Sequence, residues 1–256
     1  MIGQSQAPVG IESQDTAAWI YAVVDDPAVV PAGLLGVGDG PVGTVEHGGL
    51  AAVVGALQLD RAPKHRADLV AHSKVLEELR NHGTVVPVQF GSVMQDLESV
   101  RSDLLEDRVD ELRALLDQLR GRFQYNLRAR YVEEQVLSEI VRDDPEVSEL
   151  RRLTRDVPDE AAYGEKVRLG ELVNHHLEAK RDVDARFLLD TVLPHTVAHV
   201  VKRTGGMNVL DAALLVEESR AEEFVDLLED LAEGVHERMR LQVVGPVAAF
   251  DFTGGL

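Results

Sequence analysis

Residues 122–131 read Arg-Phe-Gln-Tyr-Asn-Leu-Arg-Ala-Arg-Tyr, and apolar and polar side chains alternate through the whole stretch. Successive side chains of a β-strand point to opposite faces, so a period of two predicts a strand with one buried and one solvated face. The face predicted to meet solvent carries three cations, Arg122, Arg128 and Arg130. This strand is the strongest local signal in the chain, and the other elements are best placed relative to it.

Toward the N-terminus, the elements before this strand follow the order strand, strand, helix, strand, helix. The predicted segments are a strand at 19–24, a strand at 50–54, a helix with Leu69, His72, Leu76 and Leu79 on one face, a strand at 85–90, and a helix that runs to Leu119. Together with 122–131 this is the order of a ferredoxin-like split βαβ unit. We therefore expect an N-terminal ferredoxin-like α+β sandwich over 16–142, preceded by a flexible polar tail at 1–15.

Toward the C-terminus, prolines and charged residues at 143–160 are typical of a linker. A long helical pattern follows over about 161–204, divided at Pro194, because proline removes a helical hydrogen bond. A buried strand at 207–216, an amphipathic helix and a closing strand complete the pattern. These features predict a smaller C-terminal α+β domain with a long helix over 161–256.

Composition excludes several classes of function. A formal net charge of −19 argues against nucleic acid as a partner, because phosphate binding requires a concentrated basic surface. No stretch approaches the ~18 apolar residues of a membrane span, and the first fifteen residues lack the features of a signal peptide. There is no cysteine, which fits a reducing compartment. We expect a cytoplasmic protein that binds neither nucleic acid nor a lipid membrane.

Two motifs resemble cofactor or metal sites. Residues 38–43 satisfy G-x-G-x-x-G, but a dinucleotide site needs a strand before it and a helix after it, whereas here a Pro-Gly loop precedes and a strand-like segment follows. His195 and His199 are four residues apart on the predicted long helix, but Thr196 stands where a zinc protease helix has its catalytic glutamate. We expect no nucleotide cofactor, no metal and no catalytic residues.

Three further features have competing interpretations. His72 lies on an apolar helix face and is predicted to be a hydrogen-bonded core residue. Asp211 lies within the apolar run 209–216, where a charge must be paired, exposed or functional, and we expect it to pair with an arginine. The arginines at 122, 128 and 130 either neutralise acidic helices of the same chain or form a docking surface for a partner that carries carboxylates.

Six segments, in order along nearly the whole chain, resemble a known family. They are Trp19–Val23, Gly48–Val54, His72–Glu77, Val86–Gly91, Ala213–Val216 and Gly245–Phe252. With this order and spacing, the chain resembles the gas vesicle proteins of the F/L type. The resemblance implies an N-terminal ferredoxin-like domain and a smaller C-terminal α+β domain.

The resemblance also implies a function, namely that of an accessory or minor structural protein of gas vesicle assembly. Its implied partners are the small hydrophobic shell protein of the vesicle wall and other gas vesicle accessory proteins. Two other classes remain open from the residues alone. One is a regulatory module that binds a small molecule on a ferredoxin-like fold, and the other is an enzyme with an unrecognised site that uses Asp211 or His72.

Overall fold

The computed structural model describes residues 16–59, 65–158 and 160–256. The tail expected at 1–15 lies outside the described residues. Contacts divide the chain into two units: residues up to Gln124 together with Pro246–Leu256 form the first, and Tyr125–Gly245 form the second. The first unit therefore contains the last eleven residues of the sequence as well as its first half.

An antiparallel sheet organises the first unit. Its strands are β1 (Thr16–Val24), β2 (Val42–His47), β3 (Leu50–Gln58), β4 (Val86–Pro87) and β5 (Val93–Met94). The order is β2-β3-β1-β4, and β5 also pairs with β1. All nine residues of β1 are buried, so both of its faces are covered, and its sequence from Ala17 to Val24 is apolar and does not alternate.

The strand expected at 85–90 is shorter in the structure. The strand itself covers Val86 and Pro87, opposite Val23 and Ala22 of β1, and the Val88 N–H adds one hydrogen bond to the Tyr21 carbonyl at 2.9 Å. The backbone then turns at Gly91, whose φ of 91° is in the left-handed region that glycine tolerates best, and pairing with β1 resumes at β5. Pro87 also has no N–H to donate to a ladder.

Besides short 3-10 turns, the described part of the first unit has three helical stretches. They are α1 (His65–His82), α2 (Leu97–Ser99), which continues as a π-helix over Val100–Glu106, and α3 (Val109–Leu119). The core face of α1 contains His72, Leu76 and Leu79 as expected, but Leu69 is 48% exposed and Asp68 is buried instead. The prediction for Leu69 was wrong, because the buried face of α1 begins at Asp68, four residues before His72, and so leaves Leu69 outside it.

Most of a second, four-stranded sheet and four α-helices lie in the described part of the second unit. The strands are β6 (Arg122–Tyr131), β7 (Ala198–Val201), β8 (Asn208–Glu217) and β9 (Met239–Val247), and the helices are α4 (Glu133–Asp143), α5 (Pro145–Thr154), α6 (Tyr163–Val192) and α7 (Ala221–Val235). The sheet order is β7-β8-β6-β9. Two antiparallel sheets with helices, including one long helix in the C-terminal half, confirm the α+β class.

The strand at 122–131 has the predicted alternation, but it does not join the first sheet. It is a central strand of the second sheet, between β8 and β9. Its apolar face packs within the second unit, where the rings of Tyr125 and Phe224 are 5.4 Å apart. A period of two reveals a strand and its buried face but not the strands with which it pairs, so the expected place of 122–131 was wrong.

Two segments of the second unit differ from the sequence expectation. Within 143–160, Asp144 caps α5 by accepting hydrogen bonds from the backbone of Glu146 and Val147, and Pro145 occupies the first turn, where proline is tolerated. The long helix ends at Val192, and a 3-10 turn containing Pro194 leads into β7. The domain bounds 16–142 and 161–256 stay a prediction about independent folding units.

Candidate functional site

His72 lies in the core of the first unit and has two polar partners. The Trp19 indole Nε1–H donates to His72 Nδ1 at 3.0 Å, and His72 Nε2 is 3.2 Å from the carbonyl oxygen of Val88. Since Nδ1 accepts, the proton is on Nε2, which donates to Val88. The side chain is 1% exposed. The predicted hydrogen-bonded core histidine is confirmed.

Burial has a strong effect on the protonation of this imidazole. Desolvation lowers the pKa of His72 from 6.5 to about 4, and the hydrogen bond to Val88 offsets only part of that change. A second proton on Nδ1 would also face the Trp19 N–H, so two donors would oppose each other. His72 is therefore neutral at pH 7, and its two hydrogen bonds connect α1 to β1 and to the segment after β4.

Aromatic rings from both family-like motif segments surround His72. Phe90 is 5.7 Å from the imidazole and 5.3 Å from Trp19, and Phe250 stacks on the imidazole at 6.5 Å between ring centres. The backbone N–H of Gln89 donates to the Leu256 carbonyl at 2.8 Å. The segments 86–91 and 245–252 thus meet in one cluster that packs around the His72 imidazole. Sequence reasoning singled out both segments but carried no signal that they contact each other.

The three arginines predicted to bind a partner are in different environments. Arg122 donates to the Gln118 carbonyl at 2.5 Å, so it is held at the end of α3. Arg128 Nε forms an ion pair with Asp211 at 3.1 Å, with the two side chains 58% and 26% exposed. The pairing expected for Asp211 is confirmed. Arg130 is exposed, and its guanidinium makes no hydrogen bond or ion pair with any residue that the structure describes.

A polar network in the second unit was not foreseen from the sequence. Asp184 on α6 accepts from the Tyr131 hydroxyl at 2.5 Å and from Arg238 at 2.6 Å, and Arg238 also donates to Glu139 at 2.7 Å. Burial and the hydrogen bond to Asp184 raise the pKa of Tyr131. Burial alone would lower the pKa of Arg238, but its two carboxylate partners raise it overall. Tyrosine and arginine therefore keep their protons, and the network joins α4, α6 and the start of β9.

The two cofactor-like motifs do not have the geometry of a site. Residues 37–39 form a 3-10 turn and β2 begins at Val42, so no helix N-terminus follows the glycines. His195 lies in the turn after α6, with its Nδ1 3.5 Å from Glu223, while His199 lies on β7. Across the described ranges, no three His, Asp or Glu side chains are close enough to hold a metal ion.

The helices of the protein differ from membrane-spanning helices. In the part of the chain that the structure describes, none combines the length and the apolar character needed to cross a bilayer. The longest of these described helices, α6, has 30 residues, but charged side chains recur along its whole sequence.

Comparisons with known proteins agree with the motif resemblance. A family model described as "Gas vesicle synthesis protein GvpL/GvpF" matches residues 17–254. The chain is 31% identical to gas vesicle protein F of Streptomyces sp. (strain CB03234) over 225 residues, which is 87% of this chain and 93% of that protein. It is 29% identical to gas vesicle protein L of the same organism over 263 residues, covering 94% of each.

Solved structures show the same fold at lower sequence identity. The crystal structure of GvpF from Anabaena sp. PCC7120 superposes with a TM-score of 0.76 at 20% identity, covering 93% of this chain and 96% of that one. GvpF from Microcystis aeruginosa gives a TM-score of 0.76, also at 20% identity, over 93% and 98% of the two chains. With the family model covering nearly the whole sequence, the chain belongs to the GvpL/GvpF family of gas vesicle synthesis proteins.

Proposed function

We propose that this protein is a cytoplasmic accessory protein of gas vesicle assembly that binds the small hydrophobic shell protein and supports vesicle formation. The observation that carries the proposal is the family match over residues 17–254. Membership supports an accessory role in gas vesicles, and the shell protein as direct partner is the step that we add. The proposal assigns no catalytic step, since His72 is a neutral core residue and Asp211 is in an ion pair.

A physical need motivates the choice of partner. A small, apolar, self-associating protein exposes surface that aggregates before it is assembled. A partner that contacts part of this surface and stays dispersed would limit that aggregation. A net charge of −19 supports dispersion, because like-charged copies repel each other.

We place the contact on the face of β6 that carries Arg128 and Arg130. Alternate residues of a strand lie ~7 Å apart on one face, so both guanidinium groups can engage one acidic segment. The ion pair of Arg128 with Asp211 is exposed and contributes only ~0.2–1 kcal/mol, so Arg128 can exchange partners. On the neighbouring strand β9, the exposed Val244 lies by alternation on the face opposite to the buried Met239, and it would add apolar contact beside the arginines.

The test reverses both charges. In the Arg128→Glu/Arg130→Glu variant the buried face of β6 is unchanged, and we expect binding of purified shell protein in a pull-down to fall about tenfold at low salt and much less at high salt. The control is Arg151→Glu/Arg186→Glu, which makes the same charge change at two exposed arginines of α5 and α6.

Two results would decide against parts of the proposal. Equal binding by the two charge-reversed variants would remove the arginine face as the interface. No binding by the unmodified protein at any salt concentration would remove the shell protein as a direct partner.

A further inference from the structure

An open groove lies between α1 and the loop that precedes β2, entirely within the first unit. Its volume is about 720 Å³, and its lining comprises Leu35, Gly36 and Asp39 on the loop and Arg66, Ala67, Val70, Ala71 and Lys74 on α1. This volume is in the range of ~300–1,000 Å³ found for ligand pockets.

The sequence of α1 explains why the groove exists. Its lining residues recur at intervals of three and four, so they share one helix face, separate from the core face with His72 and Leu79. Two of them, Ala67 and Ala71, have side chains too short to fill the space between helix and loop. The walls are apolar and open to solvent, with Leu35 55% and Val70 48% exposed.

Two cations border this apolar surface. Arg66 and Lys74 form no ion pair or side-chain hydrogen bond with any residue in the described ranges. They are eight residues apart, which is about 12 Å along a helix at 1.5 Å per residue. Among the described residues of the lining Asp39 is the one acidic residue, so two cations and one anion give this lining a charge of +1 in a chain of net charge −19.

We propose that this groove is a docking site for an amphipathic helix of a partner protein that carries two carboxylates about eight residues apart. The apolar face of the helix would cover Leu35 and Val70, and its two carboxylates would pair with Arg66 and Lys74. Amphipathic helices bind apolar grooves in this way in many complexes. Because the acidic surface elsewhere repels an acidic helix, the local positive charge would also favour binding at this groove over the rest of the surface.

This site shares no residue with the proposed shell-protein surface on β6, so either proposal can fail while the other holds. The probe is a fluorescent 20-residue helical peptide with leucines at 3-4 spacing and one pair of glutamates eight residues apart. A second peptide has lysines in place of those glutamates. Binding to the full chain is measured by fluorescence anisotropy.

The decisive variant is Arg66→Glu/Lys74→Glu, which exchanges the groove's cations for anions. We expect saturable binding of the glutamate peptide to the unmodified protein and about tenfold weaker binding to the variant at low salt. The lysine peptide should show the opposite preference. The control Arg151→Glu/Arg186→Glu should bind both peptides like the unmodified protein.

An uncharged substitution tests whether binding needs the open space of the groove as well as its two cations. Ala67 is exposed, so Ala67→Phe should fill the groove without disturbing the core, which an unchanged melting temperature would verify. Loss of glutamate-peptide binding supports the proposal. Unchanged binding by Ala67→Phe, unchanged binding by the charge-reversed variant, or no gain for the lysine peptide on that variant would each overturn it.

Discussion

The stability of the first unit should depend on pH through His72. The folded-state pKa of His72 is about 4 and its ordinary value is 6.5. Below pH 6.5 the imidazole of the unfolded chain binds a proton that the folded chain excludes. The contribution of neutral His72 to the free energy of unfolding is therefore complete above pH 6.5 and is lost as the pH falls toward 4. The difference of 2.5 pKa units corresponds to about 3 kcal/mol in total, of which about 2 kcal/mol is lost by pH 5.

Urea denaturation followed by tryptophan fluorescence measures this effect where it arises. Trp19 is the single tryptophan of the chain, it is 7% exposed, and it donates directly to His72. The matched variant is His72→Gln, whose amide does not titrate. Many carboxylates also titrate in this range, so the informative quantity is the difference between the two proteins at each pH.

We expect the unmodified protein to lose about 2 kcal/mol more than His72→Gln between pH 7 and pH 5, whatever the absolute stability of the variant. Parallel stability curves for the two proteins over this interval would show that His72 is not held neutral by burial. The reasoning would then be refuted, even with both hydrogen bonds present.

Two further predictions concern single contacts. Asp184→Ala removes the carboxylate shared by Tyr131 and Arg238 and should lower the free energy of unfolding by about 3 kcal/mol in urea melts followed by circular dichroism. The control Asp143→Ala removes a half-exposed partner of a lysine and should cost less than about 1 kcal/mol, and an equal loss in both would contradict the role of the network. A methyl group at Gly36 would overlap the Tyr21 hydroxyl, so Gly36→Ala should cost about 2 kcal/mol, and less in a Tyr21→Phe background. Additive losses in that double-mutant cycle would argue against the overlap.

The elements that were predictable from sequence are those with an unbroken local period. The alternation of 122–131 correctly predicted the strand β6, and the apolar run at 209–216 predicted β8. The spacing of three and four residues around Phe224 predicted the helix α7. Each pattern reflects one buried face of one element, so it can be read without knowing the neighbours.

The elements that could not be predicted depend on long-range pairing. The strand at 122–131 was assigned to the first sheet because strand order in a sheet is not encoded in the strand itself. The apolar residues after Pro194 fit a helix as well as a strand, and only pairing of Ala198 with Leu215 makes them β7.

The candidate sites divide in the same way. The pairing of Asp211 with an arginine followed from the cost of burying a charge, whereas the partner of His72 is 53 residues away in Trp19 and left no local signal. The groove beside α1 was also missed. Small residues such as Ala67 and Ala71 leave a groove only if a loop faces them without filling the space, and the sequence does not show which loop faces α1.

The split composition of the first unit has a consequence for biosynthesis. Phe250 stacks on His72, and the Leu256 carbonyl accepts from Gln89, so residues 246–256 complete a core that the first half of the chain begins. A ribosome makes these residues only after the whole of 125–245. Domains made early in translation commonly fold as soon as they emerge from the ribosome. Here the part of the first unit that precedes Tyr125 cannot complete its core until residues 246–256 have been made. Closure of the first unit can therefore take place only on chains whose second unit has already been synthesised.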